Sequence, residues 1–353
     1  MQLDELILQK QALLQSKQPV RARNAAEKMG ISEAQYVALS LGDSVKMLDM
    51  TRLEELFNQL EALGELMALT RNNEVVIERK GIYQKPQVHE GAILLVNNDI
   101  NLRLKVSEWA LGFAVEEKGR HSLQFFDKQG IAAHKIYATE LTRPRLFNEL
   151  VVQFCLTDAM PRLLDPATCE TPNLSESTKV DSTQVDSQTF QQAWRNLHDA
   201  HRVNALLNEF GLTRLQAYSL LSKEDAQKLG ENALKSLFTQ AAEGAIPLMI
   251  FVSNRCATQI FTGHVHKLLE TGPWFNVLDP GFDLHMSLAG INQAWWVKKH
   301  LKPTDSDQTA QATYSVEFFN QQGEVVMFIY LKPEAKKETT LSQKWQELVL
   351  SLV

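Results

Sequence analysis

Apolar positions recur at helical spacing between Phe190 and Phe210, in two sets. At about 100° per residue, Val203, Leu206, Leu207 and Phe210 fall on one side of a helical wheel. Phe190, Trp194 and Leu197 fall on the opposite side, and His201 sits in the middle of their stripe. The pattern predicts one helix with two apolar faces. One buries in its own domain, and the other, with an imidazole at its centre, buries against something else. Elsewhere the pattern is that of strands. "GAILLV" (91–96), "LQFF" (123–126), "HKIYAT" (134–139), "PLMIFVS" (247–253), "TQIFTG" (258–263), "YSVEFF" (314–319) and "VVMFIYL" (325–331) are short and rich in β-branched and aromatic residues. "DKQG" (127–130) and "NQQG" (320–323) between such runs predict hairpin turns.

The pattern occurs twice. "EKMGISEAQYVALS" (27–40) matches "NEFGLTRLQAYSLL" (208–221), with Gly30 on Gly211 at an offset of 181. "MALTRNNEVVIERKG" (67–81) matches "MIFVSNRCATQIFTG" (249–263) at 182, and "SLQFFDKQG" (122–130) matches "SVEFFNQQG" (315–323) at 193, after an insertion around "HLKPTDSDQTAQ" (300–311). "FNELVVQF" (147–154) resembles "WQELVLSLV" (345–353). An offset nearly constant over this length predicts two tandem copies of one domain, 1–155 and 189–353, joined by a polar Ser/Thr/Asp/Pro-rich linker, 156–188. In each copy short helices precede the strands and an amphipathic helix closes them. This order predicts an α+β fold with a large antiparallel sheet rather than alternating βαβ units.

Composition narrows the class without naming a function. Of 353 residues, 44% are apolar and 22% charged, as in a well-folded globular protein. The net charge of −6 argues against nucleic acid as a partner, although 21–40 and 202–221 look like helix-turn-helix elements. Three scattered cysteines, Cys155, Cys169 and Cys256, make neither a disulfide framework nor a thiolate metal site. No run approaches the roughly 20 apolar residues of a membrane span, and the N-terminus lacks a signal-peptide pattern. The expected location is the cytoplasm.

Candidate chemistry lies where the copies diverge. His201 corresponds to Val20, and Arg103 corresponds to His285. "AWWVKKH" (294–300) is aromatic and then basic, where its counterpart "AVEEKGR" (114–120) is acidic. His201, the flat side chains Trp194, Phe251, Trp295 and Trp296, and the anion-binding donors Arg214, Lys298, Lys299 and Tyr330 suit a flat hydrophobic ligand carrying a metal and carboxylates, such as haem. Plainer readings stand beside this one. His201 is hydrogen-bonded at an interdomain contact, or pairs with His198 on a divalent metal. Arg103 pairs with an acid, Lys298, Lys299 and His300 are a solvated cluster, and His264 and His266 are surface residues.

The stretches "EEKGRHSLQFFDKQGIAAHKIYATE", "NLRLKVSEWALGFAV", "QAWRNLHDAHRVNALLNEFGLTRLQAYSLL" and "GPWFNVLDPGFDLHM" resemble the bacterial HemS/ChuS-type haem-utilisation proteins, or hemin-degrading factors. The resemblance runs through both copies. It implies that His201, in a helix matching W-x-x-[LM]-x-D-x-H at Trp194, Leu197, Asp199 and His201, ligates the iron of a b-type haem. It implies that Arg103, in Asn101-Leu102-Arg103-Leu104, is the catalytic residue on the distal side. Arg214, Lys299 and Tyr330 match propionate contacts, and Phe251 matches an aromatic wall. Some relatives carry a histidine in the first copy where this chain has Ile77, so a second haem site of that kind is not expected. No dinucleotide-binding loop is visible, so degradation needs an external reductant. The expected function is haem binding with haem breakdown and iron release. The alternative is a non-catalytic carrier that passes intact haem to a haem oxygenase or takes it from an uptake transporter.

Overall fold

The computed structural model describes residues 3–15, 20–156, 185–197, 199, 202–301 and 311–353. Its strands assort into two large antiparallel sheets with short helices around them, the α+β class read from the sequence. The described residues form two compact units. Unit 1 draws on Met1–Arg71, Ile77–Asn173 and Ser253–Gln259, and unit 2 on Asn72–Val76, Leu174–Val252 and Ile260–Val353.

Each unit repeats one strand order. In unit 1 the strands Val45–Met47, Trp109–Glu117, Arg120–Asp127, Ala132–Thr142 and Gly64–Arg71 lie side by side in that sequence. In unit 2 the order is Ala226–Lys228, Ile291–Leu301, Gln311–Asn320, Val325–Leu331 and Leu248–Ser253. Local chemistry fixes the turns in the same way in both. Asp127 Oδ1 accepts from the N–H groups of Gln129 and Ile131, and Gly130 takes φ +72°. Asn320 Oδ1 accepts from Gln322 and Glu324, and Gly323 takes φ +78°. A short acceptor side chain followed by a residue that tolerates positive φ is what such a turn requires. The helix pairs match too. Gly30 (φ +66°) and Gly211 (φ +64°) end one helix, and Ser32 and Thr213 start the next with capping boxes to Gln35 and Gln216.

Asn72 and Asn254 complete the parallel. Each side-chain carbonyl accepts from the N–H groups two and three residues ahead. Each amide donates to a main-chain carbonyl, Asn72 to Val326 at 2.8 Å within unit 2 and Asn254 to Ala133 at 3.0 Å within unit 1.

One expectation fails. Residues 190–210 are not one helix with two faces. Ser187–Arg195 ends at Asn196, whose N–H bonds back to Gln192, and a second helix, Val203–Glu209, starts afresh. The break turns opposite sides of one cylinder into facing sides of two. Phe190, Trp194, Val203, Leu206 and Leu207 all bury in one cluster with Tyr218 and Phe319. His198 and His201 lie outside the described residues, as does most of the expected linker.

Candidate ligand-binding site

The site in unit 2 is built on the face of its sheet. Cross-strand partners share a face, and residues two apart along a strand share it too. Tyr330 pairs with Met249 on one side and Ser315 on the other, Phe328 pairs with Phe251 and Glu317, and Lys299 pairs with Thr313. Register therefore collects Phe251, Lys299, Ser315, Glu317, Phe328 and Tyr330 on one face. The helix Arg214–Leu220 adds Arg214 and Tyr218, four residues apart and so one above the other.

These side chains form one buried polar network. Glu317 Oε1 accepts from Lys299 Nζ at 2.7 Å and from Ser315 Oγ at 3.1 Å. Glu317 Oε2 accepts from Tyr218 Oη at 2.5 Å and from Arg214 Nη1 at 3.3 Å. Lys299 Nζ donates further to Tyr330 Oη at 2.7 Å and Ser315 Oγ at 3.1 Å. Arg214 also donates to Tyr218 Oη at 2.9 Å and Asn204 Oδ1 at 2.7 Å, and its guanidinium lies over the Phe328 ring at 5.0 Å. Phe251 meets Tyr330 edge-on, with ring centroids 5.7 Å apart. Side-chain exposure is 0% for Glu317, 3% for Lys299 and 18% for Arg214, so the guanidinium is the cation of the three that reaches solvent.

Electrostatics holds the network charged. Burial opposes the Glu317 carboxylate, but Lys299 and Arg214 outweigh it and keep its pKa below the usual carboxylate range. Burial likewise opposes the Lys299 ammonium, and Glu317 and Tyr330 hold its pKa above the ordinary lysine value. Burial and the neighbouring carboxylate push the Tyr218 phenol well up, so it stays a donor. Lys336 adds a further cation, 5.9 Å from the Tyr330 ring, its pKa lowered by burial and by Lys299. Cations thus outnumber the single carboxylate of the network, and the surplus favours an anionic ligand beside an aromatic wall.

The structure brings together four of the residues picked from sequence: Arg214, Phe251, Lys299 and Tyr330. Lys299 is not part of a solvated cluster, and His300 contacts Asp225 at 3.0 Å. Trp194 and Trp296 are buried, and Trp194 Nε1 donates to the Lys298 carbonyl at 3.0 Å. Trp295 packs on Tyr218. Arg103 belongs to unit 1, on the strand Asn101–Leu104 opposite Leu94. It is half-buried and donates to Asn101 Oδ1 at 2.8 Å, and burial lowers its pKa. Ile77 is wholly buried. His264 and His266 are exposed, and their rings stack at 6.2 Å. Among the described residues no group of three or more His, Cys, Asp or Glu could hold a metal ion, and no helix is long and apolar enough to cross a membrane. Sequence reasoning missed Glu317, Tyr218 and Lys336.

A model of the haemin-degrading HemS.ChuX domain matches the chain twice, over residues 30–154 and 211–352. The chain belongs to the HemS.ChuX family. It is 34% identical to the hemin transport protein HmuS of Yersinia pestis, over 94% of this chain and 92% of that protein. To HemS of Yersinia enterocolitica, also named a hemin transport protein, it is 33% identical over the same shares. The crystal structure of apo-PhuS, described as a heme-binding protein from Pseudomonas aeruginosa, superposes with a TM-score of 0.87 at 34% identity, covering 100% of this chain and 99% of that one. Of the two HemS.ChuX segments, the second holds Arg214, Tyr218, Phe251, Lys299, Glu317, Tyr330 and Lys336, and the first holds Arg103. His201 and the helix Ser187–Arg195 precede the second segment.

Proposed function

We propose that the protein binds haem on unit 2 and degrades it, releasing iron. Arg214, Lys299 and Tyr330 take the propionates, Phe251 forms an apolar wall, and His201 supplies the iron ligand. Bound haem would supply the redox-active iron at which the ring opens, with electrons from an external reductant in the cytoplasm. The residues present fit the ligand: guanidinium and phenol donors suit carboxylates, and the aromatic face suits a macrocycle. The single observation that carries the reading is the surplus of cations around Tyr330 beside Phe251, within the second HemS.ChuX segment. Arg103, held by Asn101, is the catalytic candidate.

The names of the relatives support a second reading. HmuS and HemS are called hemin transport proteins, whereas ChuS, 29% identical over 98% of this chain, is described as an E. coli heme oxygenase. A carrier would pass intact haem to an enzyme or receive it from an uptake transporter. The haem-loaded protein, given reductant and oxygen with catalase present, should lose its Soret band and release iron. If the Soret band persists while haem moves intact to an acceptor such as apomyoglobin, the degradation reading fails and the carrier reading stands.

A further inference from the structure

Glu317 is a charge that one copy of the fold carries and the other does not. In unit 1 the equivalent position is Gln124. It pairs with Phe113 and Lys135 as Glu317 pairs with Trp295 and Phe328, and it contacts Ser122 as Glu317 contacts Ser315. The ion pair in unit 1 joins helix to sheet with its sign reversed, Glu33 on the helix to Lys135 on the sheet. A neutral amide therefore occupies this place in unit 1, its Nε2 donating to Ser122 Oγ at 3.0 Å and its buried Oε1 left without a hydrogen-bond partner among the described residues. A wholly buried carboxylate there costs desolvation that a neutral side chain avoids.

What Glu317 does is occupy the donors of the candidate site. Lys299 has three N–H donors, and they go to Glu317, Tyr330 and Ser315. Arg214 shares its Nη1 between Tyr218 and Glu317. An incoming carboxylate finds the two cations already facing a carboxylate. We propose that Glu317 is a specificity-determining residue: a resident carboxylate that competes with the ligand's carboxylates for Lys299 and Arg214, lowers the affinity for them and so keeps the ligand releasable. The inference rests on the haem reading above.

The test separates carboxylate recognition from iron ligation by using metal-free protoporphyrin IX and its dimethyl ester. Each is titrated by fluorescence into the full-length protein, and the dissociation constant of the diester divided by that of the diacid is read. Glu317→Gln, the residue unit 1 already uses, should tighten the diacid and leave the diester alone, raising the ratio by about tenfold for one charge removed at this range. Lys299→Met should lower the ratio by a similar factor. A purely structural role would weaken both ligands together and leave the ratio fixed. An unchanged or smaller ratio in Glu317→Gln overturns the proposal; should that variant not fold, an unchanged ratio in Lys299→Met does so. If the wild type binds haem but neither metal-free porphyrin, the site takes no carboxylate on its own and the proposal is overturned; if it binds neither haem nor porphyrin, the haem reading itself falls.

Discussion

His134 predicts how unit 1 responds to acid. The imidazole is 1% exposed. Its Nδ1 lies 2.9 Å from Thr70 Oγ1 and its Nε2 lies 2.9 Å from Tyr83 Oη. Burial lowers its pKa from 6.5 to about 3. Above pH 6.5 the ring is neutral in both folded and unfolded chains and contributes nothing to the pH dependence. Below that, the unfolded chain takes up a proton that the folded chain refuses, so stability falls by about 1.4 kcal/mol per pH unit. Between pH 6.5 and 5 the loss is about 2 kcal/mol, and it continues towards pH 3. His134→Gln removes the titration. It also disturbs two hydroxyl hydrogen bonds, which costs about 1–3 kcal/mol at pH 7.5. Urea denaturation of both proteins at pH 7.5, 6 and 5 measures the difference. The variant should start less stable and lose about 2 kcal/mol less on acidification, so that the two curves converge. Parallel curves would show that His134 titrates normally and that the burial argument is wrong.

Two further outcomes follow from the same contacts. Glu33→Ala leaves the buried Lys135 ammonium without its partner and should cost about 3–5 kcal/mol at pH 7, read by urea denaturation; a cost below 1 kcal/mol would mean that water or another anion replaces the carboxylate. Arg103→Ala should slow haem conversion at least tenfold while changing haem affinity less than threefold. Equal losses in both, by single-turnover absorbance and titration, would remove Arg103 from the catalytic role.

The parts of this molecule that can be read from sequence are those governed by residues close together in the chain. The Asp127–Gly130 and Asn320–Gly323 turns, the Gly30–Ser32 and Gly211–Thr213 helix junctions and the closing helices each follow from a few neighbouring residues. Glu317 was hidden because its burial depends on register with two other strands and on a helix about a hundred residues earlier. Lys336 reads as a surface lysine in "PEAKK" until Tyr330 is placed beside it. The helix expected over 190–210 failed because periodicity does not register a break at Asn196. Nothing in a contiguous sequence shows that Asn72–Val76 sits with unit 2 and Ser253–Gln259 with unit 1.

The most direct test of the account is a haem titration of the wild type beside His201→Ala, followed by absorbance and by magnetic circular dichroism. The wild type should saturate near one haem per chain with the spectrum of a histidine-ligated iron. His201→Ala should bind at least tenfold more weakly, with that signature lost. Equal affinity and an identical coordination spectrum in the two proteins would contradict the assignment of the iron to unit 2 through His201.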